Sequence, residues 1–375
     1  MSHGMNHHSV SNMRRRNSLT SSVAIVVAVS FGCSDQPAPS ADRPRPPGSS
    51  ATPDRSHAFR RARVWNATNI EAINIRTGPA GGFPFLASVP CDYTARRLSG
   101  HSLKFACDLG GGDVVKVKFD ERNSEVYGEV AATRLMWALG FGADHMYPVR
   151  VRCRGCPASL GGTRTDTGET LFDPAAVERE MPGAEFKDDP GWSWPELDLL
   201  DASAGAASRA EIDALKLMAV LLQHTDTKVE QQRLLCLDDR ASRRPEDCRR
   251  PFLMINDLGL TFGRATLLND NAVSGANFQS WSKMPIWKEA TGCVGNLPRS
   301  LTGTLGDPRI SEEGRRFLAS LLVRLSTRQI RELFEVSRFD VRPPSVTAPH
   351  AAAPIDDWVR VFSEKRDAIV QRRCD

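Results

Sequence analysis

Four short strings bring together side chains that can move protons or hold ions. The run V-K-V-K-F at 115–119 puts Lys116 and Lys118 on one face of an alternating strand and Val115, Val117 and Phe119 on the other. Glu125 and Glu129 stand four apart, on one face of a helical stretch. H-T-D-T-K at 224–228 contains His224, Asp226 and Lys228, and N-D-L-G at 256–259 contains Asp257. Clustered carboxylates and lysines are candidates for acid–base chemistry and for binding a cation. Taken one at a time, each string also has a plainer reading. The lysines could lie exposed on an edge strand, the glutamates could be a solvated pair, and the His-Asp string could be a helix C-terminal polar cluster bonded to backbone.

Cysteines form the second chemical set. Setting Cys33 aside leaves eight: Cys91, Cys107, Cys153, Cys156, Cys236, Cys248, Cys293 and Cys374. An even number in an exported chain predicts disulfides. Local spacing pairs Cys91 with Cys107, Cys153 with Cys156, Cys236 with Cys248, and Cys293 with Cys374. C-R-G-C at 153–156 could instead be half a zinc site or a redox pair. Zinc needs a second ligand pair, and the sequence has no H-x-x-H and no other C-x-x-C. A thioredoxin-like strand and helix context is also missing.

Export is predicted by the N-terminus. Arg14, Arg15 and Arg16 precede an apolar stretch at 23–31, and Gly32-Cys33 follows at once. Basic, apolar and small residues in that order describe a secretory signal over 1–33, with Met1 or Met13 as the start. A Cys at its end resembles a bacterial lipoprotein signal, with Cys33 as the lipidated residue. Ser30 and Phe31 depart from that pattern, and a plain signal peptide is the alternative. Residues 34–62 are rich in Pro, Ser and Ala and read as a disordered tether. The expected location is therefore the cell envelope, held to the membrane by a lipid anchor or periplasmic.

Of the 375 residues, 41% are hydrophobic and 25% charged, an ordinary globular composition. The net charge of +4 comes from the N-terminus: residues 1–62 hold eight Arg and three Asp. The remainder is close to neutral, which argues against a nucleic-acid partner. No run of 18 apolar residues is present.

The strings must be positioned by the elements around them. Strands are predicted at 83–93, 103–109, 113–119 and 145–153, with a tight turn at Gly110-Gly111-Gly112. A helix is predicted over 125–139, ended by Gly140. Residues 158–207 read as irregular. A capping box, Ser208 with Glu211, opens a helix that runs into His224. Two short strands follow at 233–237 and 252–255, and Asn256-Asp257 closes the second. Helical patterns occupy 311–338 and 355–372. Trp192, Trp194, Trp281 and Trp287 read as core or groove aromatics.

This order of a hairpin, a lysine strand, a helix with an inward Glu, a strand, a helix ending in H-x-D-x-K and a hairpin ending in D-L-G resembles the protein kinase-like superfamily. The likeness is to its atypical branches, the secreted, phosphatidylinositol kinase-like and toxin-kinase relatives. V-K-V-K-F, G-E-V-A-A-T-R-L-M-W-A-L-G at 128–140, H-T-D-T-K-V-E-Q at 224–231 and N-D-L-G carry it. The resemblance implies an α+β bilobal fold. Its small N-lobe, an antiparallel sheet with one helix, would occupy 63–157, and its larger, mainly helical C-lobe 158–375. It implies transfer of a phosphoryl group from ATP or another nucleotide, with Mg²⁺, to an unknown acceptor. Lys118 would meet the phosphates and Glu129 would hold that lysine, with Lys116 and Glu125 as alternates. Asp226 would accept the acceptor's proton, Lys228 would steady the phosphoryl group, and Asp257 and Gln231 would bind the metal. Gln231 stands where an Asn is usual. A G-x-G-x-x-G loop is absent, and Arg96, Arg97 and Ser102 at 94–102 are the phosphate contacts available. These two departures favour a non-catalytic, pseudokinase-like binder as the first alternative. A structural envelope lipoprotein is the second.

Overall fold

The computed structural model describes residues 53–186, 189–238, 247–263, 275–343 and 352–374. Cys33, the signal and most of the tether lie outside them. Helix α1 is Pro53–Arg60. Strands β1 (Ser88–Thr94), β2 (Lys104–Asp108) and β3 (Val114–Phe119) lead to α2 (Glu125–Leu139). Strands β4 (Gly142–Ala143), β5 (His145–Arg154), β6 (Thr163–Arg164), β7 (Thr170–Arg179) and β8 (Ala184–Glu185) precede α3 (Arg209–Leu222). Then come β9 (Gln232–Cys236), β10 (Pro251–Ile255), α4 (Phe278–Lys283), α5 (Glu312–Leu322), α6 (Thr327–Val336) and α7 (Ile355–Gln371).

The fold is α+β with two sheets. The first closes into a five-strand barrel. β1, β2, β3, β7 and β5 pair in that order, β5 pairs back to β1, and β6 is added on the outside of β7. The expected small sheet was antiparallel throughout, but the β1–β5 pairing that closes it is parallel. Alternation fills the interior: Val115, Val117 and Phe119 pack with Phe105, Val149, Val151 and Phe172. Lys116 and Lys118 are therefore turned to the outer face.

Two further expectations are corrected. The barrel does not stop at residue 157, because β7 comes from the segment read as irregular. Pro174 interrupts the β7 sequence, and a Pro within a run argues against a strand. It is tolerated here because the β5–β7 register shifts beside it, between Val149 and Val151, so no ladder N–H is required there. The tether also ends before residue 62. Residues Ala58, Phe59 and Ala62 are buried in the main core, and Arg55 pairs with Asp189 at 2.7 Å.

The second sheet runs β4-β10-β9-β8. Helix α2 lies between the sheets and is buried along nearly its whole length, which explains its apolar sequence on every face. Gly140 ends it in the left-handed conformation. The capping box of Ser208 and Glu211 opens α3 as expected. Around α3, α5, α6 and α7 the core holds Trp192, Trp194, Trp281 and Trp358. All four expected cysteine pairs are bonded: Cys91–Cys107, Cys153–Cys156, Cys236–Cys248 and Cys293–Cys374.

Candidate functional site

Lys118 is the hub. β3 is flanked by β2 and β7, so it is an interior strand, and Lys118 is 1% exposed. Its ammonium lies 2.5 Å from Glu129, 2.9 Å from Glu125 and 3.6 Å from Glu178. Glu129 is fully buried and Glu125 nearly so. The readings of an exposed edge lysine and a solvated Glu pair are therefore overturned. Burial alone would push the Lys118 ammonium down, but Glu125, Glu129, Asp257 and Glu178 outweigh it and hold the pKa above the ordinary lysine value. Burial, with the neighbouring carboxylates, pushes the Glu129 carboxyl up.

Lys116 has a different place. It pairs with Glu178 and keeps a third of its side chain exposed. It lines a cavity of about 550 Å³ on the barrel's outer face, together with Arg96, Asp113, Glu178, Arg179 and Glu180. Asp226 and Asp257 do not line this cavity. Glu178 links the two lysines and was missed by sequence reasoning because β7 was missed. Lys104 was missed too, although it pairs in register with Lys118 across β2 and β3. Burial and the charge of Lys118 push the Lys104 ammonium down. Of the other phosphate contacts considered, Ser102 accepts a hydrogen bond from Lys104 at 3.2 Å, and Arg97 does not line the cavity.

The β9–β10 hairpin delivers Asp257 to this cluster. Carboxylate oxygens of Asp257, Glu125 and Glu129 lie within 4.8 Å of one another. Two glycines permit the approach. A Cβ on Gly259 would sit 2.5 Å from Glu125 Cγ, and one on Gly128 would sit 3.3 Å from the Thr261 carbonyl oxygen. Asp257 accepts from the Gly259 N–H at 3.0 Å. Burial would raise its carboxyl, but Lys118, the Gly259 N–H, Lys116 and Lys104 together hold it at about 2. A half-buried carboxylate that stays ionised suits a hard divalent cation.

Asp226 is set by the loop after α3. Gln231 Nε2 donates to its Oδ2 at 3.0 Å, and the Lys228 ammonium lies 3.4 Å away. The Gln231 carbonyl oxygen is thus the end of that amide left for a cation. Burial raises the Asp226 carboxyl, Gln231 and Lys228 oppose it, and Asp257 adds to the rise. The loop is tied from two sides. Thr227 Oγ1 accepts from the N–H groups of Thr304 and Leu305, both at 3.1 Å. The Thr225 N–H donates to the Leu260 carbonyl at 3.4 Å, and Phe262 N–H to Leu222 at 2.7 Å, joining the Asp226 loop to the segment after Asp257. His224 is fully buried and neither ring nitrogen has a hydrogen-bond partner among the described residues, unlike a polar cluster bonded to backbone; burial lowers its pKa to about 4.

No protein-family model matches the chain, and no curated protein matches it. Among solved structures, the Helicobacter pylori proinflammatory kinase CtkA is similar, with a TM-score of 0.42 and 11% identity. The similarity covers 76% of this chain and 97% of that one.

Proposed function

We propose that the chain is an exported, atypical kinase-like phosphotransferase. The carrying observation is the Lys118–Glu129 pair, 2.5 Å apart between β3 and α2, with the ionised Asp257 brought to the same cluster. In this reading the barrel and α2 form the small lobe, and the second sheet with α3–α7 forms the large one. A nucleotide enters beside β3 through the cavity lined by Lys116 and Arg96, and its phosphates extend from there toward Lys118 and Asp257. Asp257 and Gln231 Oε1 would hold Mg²⁺, which when bound would neutralise phosphate charge. Asp226, its carboxyl raised, takes the proton of the acceptor hydroxyl, and Lys228 steadies the transferred group. Four disulfides support an oxidising compartment, and with the Gly32-Cys33 signal they support lipid anchoring at Cys33. Membrane fractionation of the Cys33→Ala variant tests that anchor: release into the soluble fraction supports it, and unchanged membrane association removes it.

A binding-only descendant of the fold is favoured by one observation. Lys118 is closed in by three carboxylates, so a phosphate must displace at least one of them to reach it. Calorimetry with Mg²⁺ and ATP, followed by a turnover assay, separates the readings. Binding with slow ATP consumption supports the phosphotransferase, and binding without turnover supports the binder. With no heat for ATP, GTP or their Mg²⁺ complexes, the structural lipoprotein reading takes over.

A further inference from the structure

A second cavity, about 370 Å³, lies at the opposite end of β10 from Asp257. Among the described residues, Arg61, Arg63, Arg249 and Arg250 line it, with Asn66 and Phe252, and no Asp or Glu does. Backbone pairing fixes the convergence. The Arg63 N–H donates to Pro251 at 3.0 Å and its carbonyl accepts from Leu253 at 2.8 Å, which lays the segment after α1 along the start of β10. The disulfide Cys236–Cys248 holds the other side.

These arginines are short of partners. Among the described residues, Arg249 and Arg250 make no ion pair and no side-chain hydrogen bond, and both are exposed. Arg63 has one loose contact, with Glu211 at 3.8 Å. Arg61 donates to the Cys248 carbonyl at 2.8 Å, but its Nε is buried and unpaired. Other arginines of the fold are matched by acids, for example Arg154 with Asp92 and Arg179 with Asp113, both bidentate. Four like charges around one concavity repel unless an anion joins them. Guanidinium forks match phosphate oxygens, and Phe252 gives the cavity an apolar wall.

We infer that this arginine pocket is a phosphate-binding site, separate from the Asp257 cluster, for a phosphorylated small molecule or a phospholipid headgroup. Calorimetry of the whole protein in EDTA with inorganic pyrophosphate, and with glycerophosphoglycerol as a soluble headgroup, tests it. EDTA removes the cation that the Asp257 cluster requires, so the two sites are read apart. Wild type and Asp257→Ala should bind pyrophosphate equally, with an affinity that falls as salt rises. Arg249→Ala/Arg250→Ala, which removes two exposed side chains that make no ion pair or side-chain hydrogen bond among the described residues, should bind at least tenfold more weakly. A preference for the diester assigns a lipid headgroup, and a preference for pyrophosphate assigns a free phosphorylated ligand. No binding of either probe, or undiminished binding by the double variant, overturns the inference.

Discussion

Glu125 lies 2.9 Å from the Lys118 ammonium, one helical turn before Glu129, so a single buried lysine answers two carboxylates of the same helix. In the phosphotransferase reading that second partner competes with phosphate for the lysine. Glu125→Gln should therefore strengthen Mg²⁺–nucleotide binding by roughly tenfold, about 1.4 kcal/mol. Calorimetry checks it. Weaker binding would instead make Glu125 a ligand of the cation.

Removing Lys118 should cost more than removing Lys116. Lys118→Met leaves Glu125, Glu129 and Glu178 buried without their shared cation, and should destabilise the fold by about 3–5 kcal/mol. Lys116→Ala, at a partly exposed pair, should cost about 1 kcal/mol or less. Urea titration of both variants reads the difference. Equal losses would contradict the central place of Lys118.

The legibility of the chain divides along the same line. The sequence alone led to both ends of α2, the capping box of α3, the β9–β10 hairpin and the four cysteine pairs, because each depends on local signals such as Gly140, Ser208 and short loop spacing. The proximity of Lys118, Glu125 and Glu129 was legible only through order along the chain. The burial of all three was not, since β7 flanks Lys118 while the Leu258–Gly259 segment packs against Glu129 and Glu125. That strand was hidden by Pro174, and with it went Glu178 and the closure of the barrel. Lys104 escaped notice because its role comes from register with Lys118, which a one-dimensional reading does not fix. The folding of residues 53–62 was masked by their Pro- and Arg-rich surroundings, although Phe59 offered an apolar anchor.

Acid should destabilise the fold through His224. Its pKa falls from 6.5 to about 4 on folding, so the unfolded chain binds the proton more tightly. The stability is present above pH 6.5 and is lost as pH falls to 4, by about 3 kcal/mol at most. His145, also lowered to about 4 by burial, acts in the same window. His224→Leu should show a smaller loss of stability between pH 7 and pH 4 than wild type, by the His224 share, as measured by denaturant titration over that range. An unchanged dependence would contradict the buried neutral imidazole.

Disulfide loss should scale with the loop closed. Replacing Cys293 and Cys374, which are 81 residues apart, should cost about 4–5 kcal/mol, and replacing Cys236 and Cys248, 12 apart, about 3 kcal/mol. Mass spectrometry of unreduced peptides checks the pairing, and melting of the Ala variants checks the order. Free thiols at these positions would also weaken the case for export.

The most direct test of the phosphotransferase reading is the melting shift produced by Mg²⁺ and ATP in wild type and three variants. Wild type should gain stability with ligand. Asp257→Ala should lose that gain, because nothing then fixes the cation beside the phosphates. Asp226→Ala should keep it while phosphoryl transfer falls by about 10²–10⁴, the range for a missing general base. Lys116→Ala should show a reduced gain, since that side chain lines the cavity itself. A wild-type shift that survives unchanged in Asp257→Ala and Lys116→Ala, or no wild-type shift at all, would contradict the account.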